Sequence, residues 1–168
     1  MKNEDKAVRQ KYREGLALQD FRLAREIAQH LLKKGWHEHG TRRRGSSLMQ
    51  QTAFTTALVV TYCRPFNRGD GWEKLDIGSV DLSPDDLALH EELKVLRNEV
   101  HAHTDHVRHD REPWAGAKRS RPINVITSPP YYLTKVQLEG AVAILDKLIE
   151  HFSTPRVIKR QVAPDKGK

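Results

Sequence analysis

The chain has 168 residues, of which 38% are hydrophobic and 30% are charged, and its formal net charge is +7 with a sequence pI near 9.6. These values are typical of one soluble globular domain with its own core, and they exclude a disordered chain. The basic balance favours a polyanionic partner, with nucleic acid as the first candidate.

The apolar stretches, the first residues and the cysteine content indicate the compartment of the protein. The longest apolar stretch, around "ALVVTYC", is too short to cross a bilayer, and the first residues lack the apolar segment of a secretion signal. Cys63 is the single cysteine, so an intramolecular disulfide is excluded, and a thiol among apolar residues usually behaves as a small hydrophobe. We expect a cytoplasmic protein with no membrane partner.

The first helical pattern runs over residues 4–33 and ends near Gly35, a typical glycine beyond a helix C-terminus. Gly15 is a point where this pattern could divide into two helices. The next pattern, over residues 48–63, is apolar on most sides and predicts a central buried helix that Pro65 ends.

A glycine-rich loop precedes the most clearly marked helix. Ser83 is the expected N-cap, Pro84 the first helical residue, and two aspartates in the first turn suit the helix dipole. The apolar residues of this helix alternate in steps of four and three, and they are Leu89, Leu93, Leu96 and Val100.

A polar, proline-containing segment follows, in which Ile123–Thr127 is expected to be a short strand or extended piece. Thr134 and Gln137 predict a capping box at the start of the last helix, which Pro155 closes. We therefore predict one domain over residues 1–168 with a core at about 48–152 and a flexible basic tail at 156–168. The fold class is an all-α antiparallel bundle of four to five helices, with a short irregular or extended insertion before the last helix.

Arginines are gathered in several clusters, and a stretch from Arg108 to Arg121 is also basic. Such clusters would hold RNA by phosphate contacts, which position a strand without reading its sequence. The predicted RNA-binding residues are Arg42, Arg43, Arg44, Arg64 and Arg68.

The segment "HAHTDH" from His101 to His106 is similar to the H-x-H-x-D-H metal-ligand signature of the metallo-β-lactamase superfamily. That signature requires a loop, whereas here the pattern predicts a helix end. On a helix, His101 and His103 diverge by roughly 160° and cannot share one ion. We predict neither a metal site nor any other cofactor.

The same region also contains "LRNEVHAH", in which Arg97 and His103 are separated by five residues. Leu96 to His103 resembles the L-R-N-x-x-x-A-H variant of the Arg-(four to six residues)-His motif of the HEPN superfamily. That superfamily consists of small helical bundles in toxin-antitoxin, abortive-infection and CRISPR-associated ribonucleases. The resemblance covers residues 48–152, about two thirds of the chain. His101 is the alternative motif histidine, at a spacing shorter than the family range.

The resemblance implies a homodimer in which each protomer gives one Arg and one His to a composite site. With about 100° per residue, Arg97 and His103 lie on opposite edges of the apolar stripe and could face a common cleft. Three catalytic residues follow: Arg97 to clamp the phosphate, Asn98 to orient Arg97 or a phosphate oxygen, and His103 as general acid or base. The implied reaction needs no metal, uses the RNA 2′-hydroxyl as nucleophile and leaves a 2′,3′-cyclic phosphate and a 5′-hydroxyl.

The leading hypothesis is thus a metal-independent HEPN-type endoribonuclease, a toxin or phage-defence component with a possible antitoxin partner. The alternative is a catalytically inactive HEPN-like module that binds nucleic acid, nucleotide or a partner protein. A third class is a dimerisation bundle without a ligand.

Overall fold

The computed structural model of the chain describes residues 2–37, 46–67, 74–98, 110–114, 123–127 and 132–154. These ranges contain four α-helices, namely α1 (Lys2–Lys33), α2 (Ser46–Cys63), α3 (Pro84–Leu96) and α4 (Lys135–Ser153). Strands β1 (Asp110–Trp114) and β2 (Ile123–Thr127) form an antiparallel pair between α3 and α4, with Asp110 opposite Thr127. The predicted all-α bundle is confirmed, and the extended insertion expected before the last helix contains this strand pair. None of the described helices has both the length and the apolar character that spanning a bilayer requires.

Helix α1 is one continuous helix, so the division that Gly15 could have caused does not occur. Gly15 is exposed, and nothing lies within 4 Å of the position that a Cβ would occupy there. A glycine inside a helix costs only about 1 kcal/mol relative to alanine. Arg13 and Ala17, on either side of it, are buried in the bundle and hold the helix together. The helix ends as predicted, because Gly35 adopts the left-handed conformation with φ 64°.

The core is built on a buried stripe of α1, against which α2 and α4 both pack antiparallel. The Phe21 and Phe152 rings join α1 to the end of α4 with centroids 5.8 Å apart, and His30 stacks on Phe54 of α2 at 4.8 Å. The fully buried members of the α1 stripe are Ala17, Phe21, Ala24, Ala28 and Leu31. Their spacing of three and four residues is that of one helix face.

Both predicted N-caps are confirmed, each as a complete capping box. Ser83 Oγ accepts from the Asp86 N–H at 3.2 Å, and Asp86 Oδ2 accepts from the Ser83 N–H at 2.9 Å. Thr134 and Gln137 make the same reciprocal pair at 2.9 and 3.2 Å. Local sequence therefore sets the starts of α3 and α4.

Helix α3 runs antiparallel to α4 and is joined to it by polar contacts near each end. Lys147 Nζ donates to Asp86 Oδ2 at 2.6 Å, and Gln137 Nε2 donates to Glu92 Oε1 at 2.6 Å. Between them Gly140 allows close approach, since a Cβ there would lie 2.6 Å from Leu89 Cδ2. These contacts fix the position of the C-terminal end of α3.

Leu145→Ala tests the core of α4. Leu145 is fully buried, and its truncation should lower the free energy of unfolding by about 2 to 5 kcal/mol in a denaturant titration because it leaves a cavity. Val136→Ala is the matched control, since Val136 lies on the same helix and is 77% exposed, so the change should be within about 0.5 kcal/mol. Equal losses in the two variants would contradict this arrangement of α4.

Candidate functional site

Arg97 and Asn98 lie directly after α3 and are joined through their side chains. Arg97 is the C-cap residue, with φ −60° and ψ −44°, and its N–H bonds to the carbonyls of Leu93 and Lys94. Arg97 and Asn98 both have π-helical conformation. The Arg97 side chain is partly exposed, and its Nη1 donates to Asn98 Oδ1 at 2.9 Å. One of the five guanidinium N–H groups is thus used locally, which leaves donors for an anion.

Most of the other predicted site residues lie outside the described ranges. The predicted proximity of Arg97 to a histidine therefore stays a prediction, as does the rejection of a metal-binding loop in the same segment. The site residues outside the described ranges are His101, His103, Arg42, Arg43, Arg44 and Arg68.

Arg64 is the member of the predicted RNA-binding set that the structure describes. It begins a short 3-10 turn, Arg64–Phe66, that continues α2, and its side chain is exposed. Its Nη1 forms a salt bridge with Asp20 Oδ1 of α1 at 2.7 Å. Burial raises the pKa of Asp20, and the Arg64 charge acts in the opposite direction. A phosphate at Arg64 would therefore share the guanidinium with this carboxylate.

Arg13 holds the segment from which Arg64 projects, a role that the sequence interpretation missed. The buried Arg13 Nη2 donates to the carbonyls of Pro65 at 2.9 Å and Arg64 at 3.3 Å. These carbonyls lie in the 3-10 turn that continues α2, close to the helix C-terminus, where the helix dipole favours a cation. The signal was present in the sequence, because Arg13 lies four residues before Ala17 and extends the buried stripe of α1.

Tyr62 and His90 form a buried polar pair between α2 and α3, also missed from the sequence. The Tyr62 hydroxyl lies 2.9 Å from His90 Nδ1, and His90 is 2% exposed with the Phe66 ring edge-on at 4.7 Å. Burial lowers the pKa of His90 to about 4 and raises the pKa of Tyr62 well above its usual value. Both groups are therefore neutral at pH 7. The position of His90, three residues before Leu93, was the available signal that its side chain faces the core.

Cys63 lies at the same contact, close to the end of α3. Its thiol donates to the Leu93 carbonyl at an Sγ to O distance of 3.5 Å, and the residue is buried, as predicted for a small hydrophobe. Burial raises the pKa of Cys63 to about 12, while the charges of Arg97 and Lys94 act to lower it. The thiol is therefore unreactive in the folded protein.

Over the ranges that the structure describes, no three His, Cys, Asp or Glu side chains are grouped so that they could hold a metal ion. No protein-family model matches the chain, and no curated protein or solved structure is significantly similar to it.

Arg13→Met tests the carbonyl clamp. The substitution keeps the length of the aliphatic stem but removes the guanidinium donor from the Pro65 and Arg64 carbonyls, which keep only the backbone N–H donors of Leu75 and Asn67. The free energy of unfolding should therefore fall by about 1 to 3 kcal/mol. Arg9→Met is the control, because Arg9 is exposed one turn earlier on α1 and its loss should change stability by less than about 0.5 kcal/mol. Denaturant titrations of the two variants measure the difference, and a wild-type value for Arg13→Met would reject the clamp.

Proposed function

We propose that the chain is a HEPN-like, metal-independent endoribonuclease that cleaves RNA through attack of the 2′-hydroxyl on the neighbouring phosphate. The observation that carries the proposal is the position of Arg97. It stands at the end of a capped helix, next to Asn98 with which it bonds, and no salt bridge to it is found in the described part of the chain. This fits the "LRN" portion of the motif on an all-helical bundle.

The chemistry divides between three residues. Arg97 binds the scissile phosphate and stabilises the charge that builds on its oxygens, for which its planar fork of donors is well suited. Asn98 holds one arm of the fork through the 2.9 Å bond and so limits the orientations of the guanidinium. His103 transfers the proton, removing it from the 2′-hydroxyl or giving it to the leaving 5′-oxygen.

The proposal includes a second copy of the chain and a basic track for RNA. Each protomer supplies Arg97 and His103 to a composite cleft, an arrangement that a symmetric dimer provides. Arg64 and the other arginine clusters hold the strand on either side by phosphate contacts. The net charge of +7 supports this partner, because neutralising phosphates releases their counterions.

RNA cleavage in excess EDTA is the decisive assay. The wild type should produce fragments with 2′,3′-cyclic phosphate and 5′-hydroxyl ends. Arg97→Ala and His103→Ala should each lower the rate by about 100-fold or more, since they remove the phosphate clamp and the proton-transfer group. Asn98→Ala should have a smaller effect.

Arg22→Ala is the matched control, because Arg22 is exposed on α1 and the change removes the same charge far from α3 in the sequence. It should cut at the wild-type rate. Wild-type cleavage by both Arg97→Ala and His103→Ala would reject the assignment. RNA binding without cleavage by the wild type would indicate the inactive binding module instead.

Asp20→Asn tests the role of Arg64 in RNA binding. It removes the carboxylate that Arg64 pairs with, so affinity for a single-stranded RNA should rise several-fold and the salt dependence should steepen. Asp146→Asn makes the same charge change and frees Arg25, which is not among the predicted RNA contacts. Fluorescence anisotropy at several salt concentrations measures both, and equal gains would show that net charge alone, not Arg64, is responsible.

A further inference from the structure

Helix α3 buries less apolar surface than α4, although its Leu89 and Leu96 are partly buried against the core. Two of its residues are buried, and one of these is a histidine, so Leu93 is its one fully buried apolar side chain. Helix α4, in contrast, buries five apolar residues, Leu138, Ala141, Ile144, Leu145 and Leu148. Elements with little buried apolar surface open at free energies below that of global unfolding. We therefore expect α3 to separate from the bundle at a lower free energy than α4.

The Tyr62–His90 pair adds a buried polar contact between α2 and α3. In the tautomer with its hydrogen on Nε2, the neutral imidazole accepts the tyrosine hydrogen bond at Nδ1, and the Phe66 ring lies nearly perpendicular to it with centroids 4.7 Å apart. Protonation of Nδ1 would turn this acceptor into a donor and place a cation in this enclosed site, which is unfavourable without a buried anionic partner.

The charged groups around His90 do little to stabilise the protonated imidazole. From its own helix Glu91 lies 3.9 Å from Nε2, exposed and already paired with Lys94, whose positive charge opposes protonation. Helix α2 presents the hydroxyl of Tyr62 and the thiol of Cys63, both neutral. Helix α4 presents Lys147, which pairs with Asp86 one turn before His90. Among the described residues, the charged groups that act on His90 are Lys94 and Glu91 of its own helix.

We propose that neutral His90 is an acid-sensitive latch, whose protonation releases α3 from the α1, α2 and α4 core and carries Arg97 and Asn98 away from their place. The release follows from the packing of α3 alone. Only its consequence, the loss of the RNA site in acid, rests on the proposed function.

The direction of the effect follows from the ionisation of the imidazole. Burial lowers the pKa of His90 from 6.5 to about 4, so docking of α3 has its full strength above pH 6.5 and weakens as the pH falls towards 4. For those two values the ratio of released to docked α3 rises about 25-fold between pH 7.5 and pH 5. Below pH 4 the effect levels off, since the imidazole is then charged in both states.

Cys63 supplies a direct reporter, because it is the single cysteine and its thiol is covered at the contact with Leu93. The full chain is treated with a dithiodipyridine, which reacts with thiols in acid as well as at neutral pH. The rate at each pH is divided by the rate for the urea-denatured chain at that pH. Circular dichroism on the same samples follows the helices of the core.

The wild type should show the rise of about 25-fold in corrected labelling rate between pH 7.5 and pH 5 while the helical signal of α1, α2 and α4 persists. His90→Asn should remove the rise, because its amide oxygen can accept the Tyr62 hydrogen bond but does not titrate. His151→Asn, a half-buried histidine of α4, is the matched control and should behave as the wild type.

Tyr62→Phe is the second variant, and it tests the latch even if His90→Asn fails to fold. It removes the donor of the latch, so labelling at pH 7.5 should already be faster than in the wild type. A flat wild-type profile, an unchanged rise in His90→Asn, an unchanged rate in Tyr62→Phe, or labelling that parallels loss of all helical signal would each overturn the latch. None of these readouts uses RNA, so they are separate from the test of ribonuclease activity.

Discussion

The close packing of one face of α1 against both α2 and α4 is the constraint on which the structure depends. Three of the five fully buried residues of that face are alanines, at positions 17, 24 and 28. Small side chains allow neighbouring helix backbones to approach, while Phe21 and Leu31 fill the spaces between them. Arg13 extends the same face and joins it to the end of α2, so the turn that carries Arg64 is fixed from α1.

The site proposed for RNA lies on the element that this core holds least. Helix α3 is held to α2 by a hydrogen-bonded polar pair and to α4 by contacts of polar side chains near each end. Such contacts are directional, and each is worth little in net free energy. They can therefore set the position of Arg97 accurately without making α3 part of the stable core. Elements that move during function are generally drawn from such weakly held parts of a fold.

The features that the sequence could predict are those decided within a few residues. The caps at Ser83 and Thr134 and the left-handed Gly35 all depend on neighbouring side chains and backbone, so local rules identified them. The sequence left open whether Gly15 divides α1, and the helix continues because the small local cost of the glycine is outweighed by the buried residues on either side of it.

The features that the sequence could not supply depend on contacts between distant residues. His90 and Tyr62 are 28 positions apart in the sequence, and Arg13 and Pro65 are 52 positions apart. Periodicity places each of these side chains on a buried face, but it does not identify the partner that each one finds. For the candidate site, the adjacency of Arg97 and Asn98 was evident, and the bond between their side chains was not, because it depends on the backbone turn after α3.

The central claim is that a phosphodiester binds at Arg97 and Asn98. The most direct measurement is side-chain NMR of the isotopically labelled protein, titrated in EDTA with a 2′-O-methyl RNA that binds but has no nucleophile. We expect the Arg97 Nε–H and the Asn98 amide resonances to shift on binding, and Arg97→Lys to weaken the complex. RNA binding that shifts other arginine resonances and leaves both of these unchanged would contradict it.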